Sequence, residues 1–166
     1  MPAHGLLQDP SVTELRLANG LTMIGIQLPH LHSAALQFLV RAGSRFEEGE
    51  DVGLSHFVEH MIYRGSTRFP SAYALNRAIE RLGGSLYAET SRELTSYLIE
   101  APPESVGGLL DILADAVAHP RWAELEVEQR IVLEEILEDL DADGRFIRTD
   151  DVVRRLAQPR QPAVDG

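Results

Sequence analysis

The sequence predicts an α+β layer structure, and three observations carry that prediction. Short runs of alternating or β-rich apolar residues, bounded by Gly, Pro and Asn, mark strands. Longer stretches with apolar residues three and four apart mark helices. The two kinds of segment are mixed without the strict alternation of a parallel α/β winding.

Residues 1–10 are expected to form a flexible leader. Glu14–Leu17 alternates, Asn19-Gly20 follows, and Leu21–Ile26 continues, so a hairpin is predicted with two positive-φ residues at its turn. Pro29 ends the second strand, and Ala34–Ala42 reads as a third, largely buried one. Gly43–Asp51 is a polar connection, and Asp51 is the expected N-cap of the helix after it. Gly65 lies where that helix should stop. Ser71–Leu82 is a second helix, preceded by Pro70 and stopped by Gly83-Gly84. Strands Ser85–Thr90 and Glu93–Ala101 come next. Val106–Ala118 is a helix with Val106, Leu109, Leu110, Leu113 and Val117 as its apolar stripe. Glu124–Leu140 is a long acidic helix whose expected core contacts are Val127, Ile131, Ile136 and Leu140. Thr149–Leu156 is a short last helix, and the polar, proline-bearing tail at 158–166 is expected to be disordered.

The bulk numbers bound the function. A chain of 166 residues fits one domain with a real core. It has no cysteine, so neither disulfides nor thiolate metal ligands are available. A net charge of −11 argues against general nucleic-acid binding. No signal-peptide pattern and no membrane-length apolar run is seen, which gives a cytoplasmic expectation.

The chemistry concentrates in GLSHFVEHMIYRGST, residues 53–67, which holds His56, Glu59 and His60 as H-x-x-E-H. On a helix, residues four apart sit about 40° apart around the axis and about 6 Å along it. Both imidazoles therefore reach one point, and Glu59 lies on the adjoining flank. Two neutral imidazoles and a third ligand suit zinc with a position left open for water, and the carboxylate can take that water's proton. Apolar Leu54, Phe57, Val58, Met61 and Ile62 surround these groups, as expected of a buried helix. With no cysteine, the third ligand should be a carboxylate, and candidates lie on the acidic helix. Glu128 and Glu135, seven apart, share a face with Glu124 close by, whereas Glu134 and Glu138 face elsewhere.

The segments GLSHFVEHMIYRGST, GGSLYAETSRELTSY and EQRIVLEEI closely resemble the pitrilysin/insulinase family of zinc metallopeptidases, which includes the mitochondrial processing peptidases. The resemblance runs from about Leu15 to about Leu156. It implies one zinc ion held by His56, His60 and Glu135, with Glu59 catalytic and Glu128 supporting a histidine ligand. It implies a mostly antiparallel sheet with helices packed on one face. Ser85–Thr90 becomes an edge strand on which substrate peptide is laid, so Leu86, Tyr87, Ala88 and Glu89 are the expected substrate contacts. The implied activity is a zinc-dependent endopeptidase, with a peptide or protein substrate. Residues 11–157 would then be an incomplete catalytic domain, truncated at its C-terminus. The family usually has Asn at the position of Tyr87. It also carries a second homologous domain supplying an Arg and a Tyr to substrate. A homologous partner subunit is therefore expected to supply the missing half, the alternative being an inactive or partner-dependent zinc-binding fragment.

Other readings compete. Residues 139–150, DLDADGRFIRTD, place Asp139, Asp141, Asp143, Gly144 and Asp150 as in an EF-hand calcium loop, but with Asp where a bidentate Glu is usual. S-ribosylhomocysteinase is similar in length, helix motif and fold, but its metal needs a cysteine. His4, His30, His32 and His119 read as solvated or helix-end residues. Ser91 and Ser96 lack a His–Asp arrangement for nucleophilic catalysis.

Overall fold

The computed structural model describes residues 11–138. The leader, the EF-hand-like loop, the predicted last helix and the tail lie outside the described residues. Among these residues nine strands and α-helices follow in order, with three short 3₁₀ turns between them: β1 (Ser11–Arg16), β2 (Thr22–Gln27), β3 (Ala34–Val40), α1 (Leu54–Tyr63), α2 (Ala72–Arg81), β4 (Ser85–Thr90), β5 (Thr95–Ala101), α3 (Val106–Ala118) and α4 (Leu125–Glu138). Among the described residues the predicted strand and helix types match, with some boundaries shifted. The third strand stops at Val40 rather than Ala42. The fifth begins at Thr95 because Ser91 and Leu94 close a turn through Ser91 N–H to Leu94 O at 2.8 Å.

The antiparallel pairing divides into two sheets. β1 and β2 form a separate ribbon, and the other three strands run in the order β3-β5-β4. The ribbon's turn differs from the expected two-residue type. Leu17 N–H donates to Leu21 O, Gly20 N–H donates to Leu17 O, and only Gly20 has positive φ, at 89°. This is a three-residue loop in which a turn is closed by one left-handed glycine. The Asn19 side chain accepts from the Leu21 amide at 3.1 Å instead of adopting positive φ itself.

The three-stranded sheet is covered on one face. Along β5, Thr95, Tyr97, Ile99 and Ala101 are buried, and the residues between them are not. That alternation is what a half-covered antiparallel sheet requires. Ile62 of α1, Leu75 and Ile79 of α2, and Leu109, Ile112, Leu113 and Ala116 of α3 fill the layer beneath it. The α3 stripe is therefore rotated from the predicted one. Ile112 and Ala116 are inside, and Leu110 is exposed. On α4, Val132 is buried and Val127 exposed, whereas Ile131 and Ile136 are only half-buried. The expected phase differs at the described positions because α4 rests mainly on α1 and turns its polar Glu128 inward, and Leu140 lies outside the described residues.

Two devices set α1 in place. Its N-cap is Gly53, left-handed at φ 93°, and not Asp51, which ends a short 3₁₀ turn two residues earlier. A glycine offers no capping side chain, so Glu47 reaches across from the preceding loop. Its carboxylate accepts from Gly53 N–H at 2.8 Å and Ser55 N–H at 2.7 Å, satisfying two donors that a helix start leaves orphaned. Burial opposes ionisation of Glu47. The Ser55 hydroxyl, the two amides and His56 together outweigh burial and hold the carboxyl below its ordinary value.

At the other end, Gly65 is left-handed at φ 112°, and a Cβ there would lie 2.3 Å from Phe69 O. The chain after Gly65 is stitched to the α3–α4 connection. Thr67 N–H donates to His119 O, Arg121 N–H donates to Gly65 O, and the buried Ser66 hydroxyl donates to Asp115. The end of α1 and the approach to α4 are thus one unit.

Two outcomes follow from these supports. Glu47→Gln should cost about 1 kcal/mol at neutral pH, read as a lowered melting temperature. The charged carboxylate contributes most above about pH 4.5, and the contribution fades as pH falls through its depressed folded-state pKa, so wild type and variant should converge in acid. Gly65→Ala should destabilise by about 2 kcal/mol or more in chemical denaturation, since both the backbone angle and the contact oppose it.

Candidate metal centre

α1 and α4 cross so that His56 and His60, four residues apart, face Glu135. Their ligand atoms converge. The two Nε2 atoms are 3.1 Å apart, and Glu135 Oε2 lies 3.6 Å from His56 Nε2 and 3.4 Å from His60 Nε2. A tetrahedral ion with bonds of about 2.0–2.1 Å separates its ligand atoms by about 3.3 Å. The observed triangle is close to one face of such a tetrahedron. Among the described residues this is the one group of three or more potential ligands that converges in this way.

The donor chemistry agrees with the geometry. The His60 Nδ1 lies 2.8 Å from Glu128 Oε1, and a carboxylate accepts only, so Nδ1 carries the proton. In the neutral ring Nε2 then presents a lone pair to the convergence point. Glu128 is 4% exposed, a burial that a lone carboxylate does not tolerate. Its second oxygen, Oε2, accepts from Nε–H and Nη2–H of Arg64. The two oxygens of the buried carboxylate are therefore satisfied by one residue of α1 and by its C-cap.

Glu59 sits on the flank, also buried, and accepts a hydrogen bond from the Thr90 hydroxyl at the end of β4. The next layer is polar as well, with the Thr95 hydroxyl donating to Ala42 O at 3.1 Å. A cleft of about 230 Å³ opens beside Glu59, lined also by His60, Tyr63, Arg64, Ala72 and Glu128. Burial, and then the Glu59 charge, push the Tyr63 phenol up to about 12, with the Ala88 amide pulling the other way. The same two causes, with Tyr63 added, push Tyr97 up further. Both phenols therefore stay protonated near neutral pH, and Tyr63 brings a donor to the cleft.

His56, His60, Glu59, Glu128 and Glu135 are thus assembled as one cluster, whereas Glu134 and Glu138 are exposed and not among the converging ligand atoms. The four β4 positions divide. β4 is an edge of its sheet among the described residues. Leu86 and Ala88 point into the core layer, whereas Tyr87 and Glu89 point to the open face. Arg64, Thr90 and Glu47 are contacts that sequence reasoning missed. Arg64 was findable, since it follows His60 by four residues and shares its helix face. Thr90 continues the inward alternation of Leu86 and Ala88, but pairing a strand hydroxyl with a helix carboxylate needs tertiary structure.

The comparisons with known proteins point the same way. The sequence profile of "Insulinase (Peptidase family M16)" matches residues 22–159. An uncharacterized zinc protease of Rickettsia felis is 34% identical over 128 residues, covering 76% of this chain and 31% of the relative. A probable mitochondrial-processing peptidase subunit beta of Arabidopsis thaliana is 35% identical over 150 residues, covering 89% of this chain and 27% of the relative. The crystal structure of pitrilysin superimposes with a TM-score of 0.68 at 29% identity, over 77% of this chain and 14% of that one. The chain spans less than a third of the length of these curated relatives. The profile match covers most of the sequence, and the chain belongs to the insulinase family of peptidases, M16.

Proposed function

We propose that this chain carries the zinc-binding and proton-transferring part of a metalloendopeptidase. The observation that carries the reading is the convergence of His56 Nε2, His60 Nε2 and Glu135 Oε2 within 4.8 Å of one another, with Glu59 on the adjoining flank. Imidazole and carboxylate ligands suit zinc, and Glu128 fixes the tautomer that a ligand histidine needs. Zinc in such a site supplies Lewis acidity, which polarises a carbonyl and acidifies a water molecule.

This chain's residues would do the rest. Glu59 takes a proton from the attacking water and returns it to the leaving amine. Thr90 holds one oxygen of that carboxylate and leaves the other for the water. Tyr63 offers a hydroxyl to whatever enters the cleft. The edge of β4 can add a substrate peptide as an extra strand through backbone hydrogen bonds, with Tyr87 and Glu89 flanking it and Leu86 and Ala88 holding the strand from beneath.

A second reading concerns completeness, and a specific observation favours it. Val12, Ile24 and Ile26 of the β1–β2 ribbon are each at least 60% exposed, an apolar surface suited to further polypeptide. The Arabidopsis relative is by its name one subunit of a processing peptidase. In this reading the zinc site is complete and hydrolysis requires more protein, supplied by a homologous subunit.

Glu59→Gln should retain zinc, measured by elemental analysis, and lose peptide hydrolysis by a factor of about 10² or more. Full activity in that variant would contradict the mechanism. Chelator treatment should abolish cleavage and zinc should restore it, and Glu135→Ala should lower zinc content without unfolding the chain. Zinc bound without any cleavage favours the partner-dependent reading.

A further inference from the structure

We infer that Arg64 is a positioning residue for the metal site, acting through Glu128 and through the seating of α4. The inference rests on the proposed zinc site and extends it to a residue that the H-x-x-E-H pattern does not contain.

Arg64 caps the C-terminal end of α1 and is only partly exposed. Its guanidinium meets two carboxylates of α4. Glu128 Oε2 accepts from Nε–H and Nη2–H, and Glu124 Oε2 lies 3.6 Å from Nη1. The Glu128 contact matters because the other oxygen of the same carboxylate holds the His60 Nδ1–H. One planar group is thus gripped at both oxygens, which fixes the direction of the bond to His60. Without the guanidinium, a buried carboxylate would be left with one oxygen unpaired and free to rotate away from the histidine.

The Glu124 contact carries a second, independent observation. Glu124 is the one non-glycine residue with positive φ among the described residues, at 60°. A left-handed glutamate is strained, and such strain persists only where surrounding contacts hold it. Here the Glu124 carbonyl accepts from Val127 N–H at 3.0 Å and Glu128 N–H at 3.1 Å, so the strained residue begins α4. Its side chain turns towards Arg64 of α1. Arg64 therefore pins the first turn of the helix that delivers Glu135 two turns beyond Glu128. Loss of Arg64 would loosen two of the three ligands, His60 by orientation and Glu135 by helix placement.

The test measures zinc affinity of the full chain by competition with a chromophoric chelator, for wild type, Arg64→Gln, Arg64→Lys and the remote Arg77→Gln. Cobalt-substituted samples supply a ligand-field spectrum that a purely structural role would not move. Arg64→Gln should weaken zinc about 10- to 100-fold and alter the cobalt bands. Arg64→Lys, which keeps charge at Oε2 but loses the planar grip, should fall between, and Arg77→Gln should match wild type. If Arg64→Gln fails to fold, the Lys variant carries the test. A folded Arg64→Gln, or failing that Arg64→Lys, with wild-type affinity and an unchanged cobalt spectrum overturns the inference. A wild-type chain that binds no zinc overturns the underlying metal-site reading instead.

Discussion

A buried carboxylate, Glu128, holds the arrangement together. At 4% exposure its charge is affordable only because His60 and Arg64 each satisfy one oxygen. His60 lies on α1, Arg64 is its C-cap and Glu128 lies on α4, so the requirement to pair this charge is also a requirement that the two helices meet in one register. Glu135 follows from it, since a residue seven positions on must emerge from the same face of α4, opposite the two imidazoles. The side chain that would be most costly to bury alone is the one that specifies the site.

The rest of the molecule supports that crossing. Three strands present one apolar face, and α1, α2 and α3 fill it. The α1 start is held by Glu47 from outside the helix, and its end is tied through Gly65, Ser66 and Thr67 to the segment that leads into α4. Thr90 reaches from the sheet to Glu59 and couples the end of the edge strand to that buried carboxylate. Sheet, helix and candidate centre are therefore linked by hydrogen bonds as well as by packing.

Much of this was legible in the sequence, for physical reasons that differ between elements. The strands and helices follow from apolar period and from Gly and Pro punctuation. His56, Glu59 and His60 announce themselves because helix geometry alone brings them to one side, and the lack of cysteine points to a carboxylate as the proposed third ligand. Choosing Glu135 among several glutamates required the family resemblance. What the sequence hid is tertiary. The Asn19-Gly20 turn takes a three-residue form because Asn19 spends its side chain on Leu21 instead of turning left-handed. Asp51 looks like an N-cap, yet a left-handed Gly53 hands that role to Glu47, six residues earlier in the chain. The α3 and α4 phases slipped because apolar residues outnumber the positions that pack, and only the neighbouring helices decide which are used. The calcium-loop alternative at 139–150 lies outside the described residues.

The central claim is that two imidazoles and the Glu135 carboxylate form one zinc centre. X-ray absorption at the zinc edge on the purified chain tests it most directly. The account predicts one zinc per chain with two histidine nitrogens at about 2.0–2.1 Å and the remaining ligands oxygen. A shell of oxygen alone, without imidazole scattering, would contradict it.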